Sequence, residues 1–78
     1  MEETLKNIFS SVLGVHVSEV TPGLSPEGAP SWDSLNAIVL ITEIEKEFQI
    51  RFSFNEAMAV KNFADAVSLV KSKQTRKA

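Results

Sequence analysis

The residues of this sequence best suited to chemistry stand together at positions 31–35, which read SWDSL. Asp33 directly precedes an apolar-periodic run, where a carboxylate can accept hydrogen bonds from the free amides that begin a helix. Ser34 follows with a hydroxyl group, at a helix end whose unpaired amides and dipole favour an anion. Ser34 could therefore carry a phosphate ester, or it could simply begin the helix. Position and capping alone favour the second interpretation.

Few other residues could do chemistry. The 78 residues include no cysteine, which excludes disulfides, thiolate metal sites and a cysteine nucleophile. His16 is the only histidine, and it is expected to be a surface or loop-packing residue because no Ser–His–acid spacing surrounds it. No group of His, Asp or Glu has the spacing of a structural metal site. We therefore expect neither an enzyme nor a metal-binding protein.

The charge is unevenly distributed along the chain. The net charge is −2, but four of the eight basic residues fall within 71–78, so residues 1–70 hold ten acids against four bases, a net of −6. A nucleic-acid-binding protein needs a basic face, and residues 1–70 do not supply one. We expect a single domain over residues 1–70 and a basic, frayed or disordered tail over residues 71–78.

The sequence also bears on membrane insertion and location. No apolar run approaches the length that spans a bilayer, and the first residues, MEETLKNIF, are too acidic and polar for a secretory signal. We therefore expect a cytoplasmic protein without membrane insertion.

Helical periodicity and capping signals predict the first half of the fold. Apolar residues recur at helical spacing over residues 2–13, and Gly14 supplies a stop. All three glycines and all three prolines fall within residues 14–30, so residues 14–32 are expected to form a long loop. Four apolar residues could pin this loop to the core: Val15, Val17, Val20 and Leu24.

The second half contains three further predicted helices. Helix 2 is expected over residues 34–48 with Asp33 as its N-cap. The capping box from Ser53 to Glu56 opens a short helix 3 near residues 54–59, and a fourth helix starts near residues 62–65. The expected fold class is therefore all-α, a small four-helix bundle with three longer helices, a short third helix and a long loop between helices 1 and 2.

Apolar spacing also predicts a core. Helix 2 should pack against the apolar faces of helices 1 and 4, and the expected core residues are Leu5, Phe9, Val12, Ile38, Ile41, Ile44, Phe48, Phe63, Val67 and Val70. The alternation at residues 50–54 favours an extended connector that inserts apolar side chains into this core, and Phe54 and Met58 are expected in the core or at its edge.

A second apolar stripe is predicted on helix 2. Leu35 and Val39 lie within about 40° of each other around the helix, and Thr42 continues their line. Val39 lies roughly opposite Ile41 and Phe48. The stripe could be exposed and dock partners, or it could be covered by loop residues or helix 3. Trp32 could likewise cover the bottom of the loop or contact a partner.

The order of elements and three sequence stretches resemble one known family. The stretches are DSL at 33–35, IVLITEIEKEFQIRF at 38–52 and FADAVSLV at 63–70. Over nearly the whole chain the pattern is similar to acyl carrier proteins, in the wider family of phosphopantetheine-attachment domains. The resemblance implies that Ser34, flanked by Asp33 and Leu35, carries 4′-phosphopantetheine.

The resemblance also implies partners and a cargo. A phosphopantetheinyl transferase that uses magnesium would deliver the arm from coenzyme A. Acyl-loading and acyl-processing enzymes of fatty-acid or polyketide synthesis would then act on a thioester at the tip of the arm, or the cargo would be aminoacyl. A monomer is expected. The alternative is an unmodified helical module that keeps the carrier fold and only docks a partner protein.

Two features depart from the family pattern. Many carriers of fatty-acid synthesis have acidic residues one and two turns after the serine, whereas this chain has Asn36 and Val39 there and acids only from Glu43 onward. This difference favours a dedicated pathway over general lipid synthesis. The second departure is Trp32, at a position where small residues are common in the family.

Overall fold

The computed structural model describes residues 1–75 and contains four α-helices. They are α1 (Glu2–Leu13), α2 (Ser34–Phe48), α3 (Phe54–Met58) and α4 (Phe63–Thr75). No strand occurs among the described residues. The prediction of an all-α bundle with three longer helices and a short third helix is confirmed.

The ends of the helices follow from local chemistry. Gly14 ends α1 in the left-handed conformation, with φ 68°, and its amide donates to the Ser10 carbonyl. Such a conformation suits glycine because it lacks a Cβ atom. Asp33 is the N-cap of α2, and Ser53 forms with Glu56 the capping box predicted for α3. The helix boundaries predicted from capping signals are therefore correct to within one residue for α1, α2 and α3.

The long loop is more ordered than its composition suggests. It contains a short 3-10 helix (Val17–Glu19) that the sequence did not predict. His16 caps this helix, because its Nδ1 accepts a hydrogen bond from the Ser18 amide and its own amide donates to the Glu19 carboxylate. The His16 side chain is exposed, in agreement with the expected surface position.

The middle of the loop is hydrogen-bonded to the start of α4. The amide of Phe63 donates to the Leu24 carbonyl at 2.9 Å, and the amide of Ala64 donates to the Pro22 carbonyl at 3.0 Å. Val20, in the same loop, is fully buried. Two of the free amides at the start of α4 are thus satisfied by the loop, which holds it against the bundle.

One core joins the helices, the loop and the connector before α3. Its most deeply buried side chains come from α1, α2, α4 and the loop: Leu5, Phe9, Leu40, Ile44, Val20, Phe63, Ala66 and Val70. Of the residues predicted for this core, Val12 and Phe48 lie at its edge.

The predicted register of α2 is partly wrong. Ile38 was expected in the core but is 64% exposed, whereas Leu40 is 2% exposed. Ile41 was expected there too, but it is only half-buried and lies outside the core cluster. The face of α2 that packs inward consists of Ala37, Leu40, Ile44 and Phe48. Four consecutive apolar residues at 38–41 fit more than one helical face, so spacing alone could not select the buried one.

The prediction for α3 is also corrected. Ile50 is buried and Phe52 packs at the edge of the core, but Phe54 is 78% exposed and Met58 is 62% exposed. The alternation of the connector stops where Ser53 caps α3, so Phe54 is placed by helical and not by extended geometry.

The expected boundary after Val70 does not mark the end of the fold. α4 continues to Thr75, and Lys73 forms an ion pair with Glu56 of α3 at 2.8 Å. Residues 71–75 are therefore helical and belong to the bundle, contrary to the expected frayed tail. Residues 76–78 lie outside the described residues.

Candidate functional site

Ser34 is the first residue of α2 and its side chain is exposed. Asp33 before it accepts a hydrogen bond from the Asn36 amide through Oδ1 at 2.9 Å, and its carbonyl accepts from the Ala37 amide at 2.9 Å. In the described part of the chain, the amides of Ser34 and Leu35 donate to no protein group. Two free donors and the positive end of the helix dipole therefore lie beside the Ser34 hydroxyl.

This arrangement suits a phosphodiester attached to Ser34. A phosphate next to the first turn of a helix of 15 residues can accept hydrogen bonds from free amides, and the helix dipole stabilises its charge. The Asp33 carboxylate carries like charge, but its Oδ1 atom is already paired with the Asn36 amide. The residues present thus fit a covalently bound phosphate ester on Ser34.

A cleft of about 860 Å³ opens beside Ser34, between α2, α3 and the loop. Its apolar lining comes mainly from Trp32, Ala37, Ile38, Ile41, Met58 and Val60. Its rim includes Ser34 and Asp33 together with Lys61. The exposed serine therefore stands at the edge of an apolar recess on the surface.

The predicted stripe on α2 is accessible. Leu35 is 69% exposed and Val39 is 37% exposed, and Thr42 is exposed as well. Ile38 widens the stripe towards the cleft. The alternative that loop residues or α3 cover these side chains is wrong, whereas their use in docking stays a prediction.

Trp32 is buried, which favours the first of its two predicted roles, covering the bottom of the loop. Its side chain is 5% exposed, and its ring lies edge-on to that of Phe9 with the centroids 5.3 Å apart. Trp32 covers the bottom of the loop, and one part of it borders the cleft. Nearly all of the indole packs in the core, and a partner contact through the part that borders the cleft stays a prediction.

Sequence reasoning missed two polar residues on either side of Ser34. The Ser31 hydroxyl donates to the Leu13 carbonyl at 2.7 Å, and the Asn36 side-chain amide donates to the Ser31 carbonyl at 2.7 Å. Ser31 and Leu13 are 18 positions apart, so no sequence spacing could have indicated their contact. These bonds connect the end of α1, the segment before Ser34 and the first turn of α2.

The carboxyl group of Glu56, in α3, has a lowered pKa. The hydrogen bond from Lys73 lowers the pKa of Glu56, and the hydrogen bond from the Ser53 amide acts in the same direction. Glu56 thus connects α3, whose residues line the cleft, to the last turn of α4.

Among residues 1–75, no group of three or more His, Asp or Glu side chains could hold a metal ion. None of the helices in that part of the chain is long and apolar enough to cross a membrane.

The chain is similar to known proteins over nearly its whole length. A family model described as phosphopantetheine attachment site matches residues 3–70. Acyl carrier proteins from two strains of Nitratidesulfovibrio vulgaris, DSM 19637 / Miyazaki F and DP4, are 34% identical to this chain over 74 residues, which are 95% of this chain and 97% of each relative.

A solved structure is similar in fold. The solution NMR structure of holo acyl carrier protein from Geobacter metallireducens superposes with a TM-score of 0.86 at 32% identity, covering 97% of this chain and 87% of that one. Acyl carrier proteins are carriers and not catalysts. On the family match and on these relatives, the chain belongs to the acyl carrier proteins, within the family of domains to which 4′-phosphopantetheine is covalently attached.

Proposed function

We propose that Ser34 is the attachment residue and that the chain carries acyl intermediates on the attached arm. The observation that carries this proposal is the place of Ser34: an exposed serine within DSL, at the capped start of α2, inside the residues matched by the family. In the attachment step the Ser34 oxygen forms a bond to phosphorus, the serine proton leaves, and the nucleotide part of coenzyme A is displaced.

In this step the chain supplies the acceptor hydroxyl and the groups around it, and the transferase supplies the catalytic base. No hydrogen bond in the described part of the chain involves the Ser34 hydroxyl, so the base that removes its proton belongs to the phosphopantetheinyl transferase. The free amides of Ser34 and Leu35 then face the new phosphodiester. Asp33 caps α2 by accepting a hydrogen bond from the Asn36 amide, and this bond stabilises the first turn in which those two amides lie.

The arm supplies the thiol on which a thioester is held, a group that this cysteine-free chain lacks. The first turn of α2 contains no acidic residue, unlike many carriers of fatty-acid synthesis. We take this difference to support a dedicated biosynthetic pathway. The proposed cargo is an acyl group of the fatty-acid or polyketide type, with an aminoacyl group as the alternative. A monomer in the cytoplasm belongs to the same proposal.

Partner enzymes are proposed to dock on the stripe formed by Leu35, Val39 and Thr42. The stripe starts beside Ser34, where an acyl-loading or acyl-processing enzyme must approach to reach the arm. Exposed apolar side chains of this kind are typical of interaction surfaces. Binding would depend more on apolar fit than on charge.

The second candidate function is an unmodified carrier fold that only docks a partner. The same absence of acidic residues in the first turn of α2 favours it, because a transferase that binds such acids would recognise this chain poorly. It differs from the first candidate in a single observable, the mass of the chain after exposure to a transferase.

The test is intact mass after incubation with coenzyme A, magnesium and a broad-specificity phosphopantetheinyl transferase. The wild type should gain one arm and Ser34→Ala should gain none, with unchanged helix content because alanine suits the first turn of a helix. Ser68→Ala, an exposed serine of α4, is the matched control and should gain the arm. A mass gain on Ser34→Ala would overturn the assignment, and no gain on the wild type would favour the docking module.

A further inference from the structure

Side-chain hydrogen bonds from Ser31 and Asn36 hold the chain on either side of Ser34. Before Ser34, the Ser31 hydroxyl donates to the Leu13 carbonyl at 2.7 Å. That carbonyl is among the last four of α1, which have no partner within the helix. After Ser34, the Asn36 side-chain amide donates to the Ser31 carbonyl at 2.7 Å. Ser34 thus lies between two polar anchors that are three and two positions away.

Asn36 is the central member of this network. Its main-chain amide donates to the Asp33 carboxylate at 2.9 Å while its side chain reaches back to the Ser31 carbonyl. The same carbonyl also accepts from the Asp33 amide at 3.0 Å. Asn36 therefore fixes the turn at residues 31–33 against the first turn of α2 through two different groups.

The chemistry of this contact requires a donor at position 36. A carbonyl oxygen only accepts hydrogen bonds, so the nitrogen and not the oxygen of the Asn36 amide faces Ser31. An ionised aspartate has no donor and would place negative charge against the Ser31 carbonyl. The contact is half-buried, so losing it would leave the carbonyl with poorer solvation than an exposed group has.

We propose that Asn36 is a positioning residue for arm attachment: its side-chain amide holds the 31–33 turn so that the Ser34 hydroxyl points to the transferase. The proposal rests on the proposed function of Ser34. It assigns a role to the residue that stands where many carriers have an acid. Correct placement of a reacting group contributes to the rate of the chemical step, so loss of the Asn36 donor should lower kcat.

The experiment compares two variants that remove the donor in different ways. Asn36→Leu removes it without adding charge, and leucine is the stronger helix former, so a slower reaction could not come from a weaker helix. Asn36→Asp keeps the shape and replaces the donor by an acceptor. Asn7→Asp is the matched control, because it makes the same change at an exposed position of α1.

Two measurements are made on each variant. For transfer of the arm at saturating chain concentration, kcat should fall about fivefold in both Asn36 variants, the factor that corresponds to one ordinary hydrogen bond. In the unmodified chain, hydrogen exchange of the Asp33 amide should become faster by about the same factor, and that of the buried Val70 amide in α4 should rise by no more than this factor. Asn7→Asp should match the wild type in both measurements.

The outcomes separate this inference from the assignment of Ser34. A wild type that gains no arm would refute the assignment of Ser34. A wild type that gains the arm while both Asn36 variants keep its kcat would refute positioning alone. A lower kcat with unchanged exchange at Asp33 would also refute it, because Asn36 would then act by touching the transferase. Exchange at Val70 that rises by a larger factor than exchange at Asp33 would show a loss of global stability beyond this one contact and refute it as well.

Discussion

The indole ring of Trp32 lies edge-on to the ring of Phe9, with the centroids 5.3 Å apart and the planes at 79°. Phe9 belongs to α1 and is 1% exposed, whereas Trp32 comes two residues before Ser34. The same Phe9 ring lies edge-on to Phe63 at the start of α4, at 5.0 Å. The segment that presents Ser34 is therefore joined to the core by a row of three aromatic rings.

Removing either ring of the Phe9–Trp32 pair should destabilise the fold strongly. Phe9→Ala and Trp32→Ala should each lower the free energy of unfolding by about 3–5 kcal/mol, the usual cost of removing a buried aromatic side chain. Phe54→Ala makes the same change at a ring that is 78% exposed and should cost about 0.5 kcal/mol or less. Urea unfolding followed by circular dichroism measures all three. Equal costs at Phe9 and Phe54 would contradict the observed core.

The two isoleucines of α2 that differ most in burial provide a matched pair. Ile44→Val should lower the free energy of unfolding by about 0.5–1.5 kcal/mol, because Ile44 is 2% exposed. Ile38→Val should change it by less than about 0.5 kcal/mol, because Ile38 is 64% exposed. Both variants remove one methylene group from the same helix, so helix propensity affects them alike. Similar losses in the same urea titration would favour the register expected from sequence spacing.

The predictable parts of this fold depend on local signals. Gly14 at the end of α1, Asp33 before α2 and the Ser53–Glu56 box before α3 each act within a few residues of the helix end they mark. Their chemistry can therefore be read without knowing what packs nearby. The same signals located Ser34 at the first position of α2.

The parts that could not be predicted depend on contacts between distant residues. The packing of α2 against the other elements decides which residue of the run at 38–41 is buried. Leu40 is buried there, whereas Ile38 is exposed. The bond between Ser31 and Leu13 and the ion pair between Glu56 and Lys73 join residues 18 and 17 positions apart. Such pairings follow from the path of the whole chain, and a short window of sequence does not contain them.

The Glu56–Lys73 ion pair should make part of the stability depend on pH. Lys73 and the Ser53 amide lower the pKa of Glu56 in the folded chain, so the folded state favours the ionised carboxylate. The stabilisation is present above the ordinary glutamate pKa of about 4.3 and is lost as pH falls through the lower folded pKa. The pair is partly exposed, so the effect should be small and should shrink in high salt.

Glu56→Gln tests this dependence because glutamine can still complete the capping box with Ser53. Between about pH 5 and pH 3, its stability should fall less steeply than that of the wild type. Lys73→Met should raise the pKa of Glu56 in the folded chain, measured by NMR titration of the side-chain carboxyl. An unchanged pKa in that variant would show that Lys73 is not the main cause of the shift.

Val39→Asp should leave the fold intact and impair docking. Val39 is 37% exposed, and the new carboxylate would lie four residues before Glu43 on the same helix, a like-charge spacing that costs about 0.2–0.5 kcal/mol. The free energy of unfolding should therefore fall by less than about 1 kcal/mol. The KM of the native acyl-loading enzyme for the armed chain should rise about tenfold, since a charge would enter an apolar contact.

Ser68→Asp is the control for added charge, because it makes a similar change on the exposed side of α4 and should leave KM unchanged. For the wild type, KM should vary less than about threefold between 0.05 and 0.5 M salt, because screening weakens charge contacts and leaves apolar ones. Strong destabilisation by Val39→Asp would show that Val39 supports the fold. An unchanged KM would show that partners approach Ser34 without touching the stripe, and a steep salt dependence would assign docking to the acidic residues of the later turns of α2.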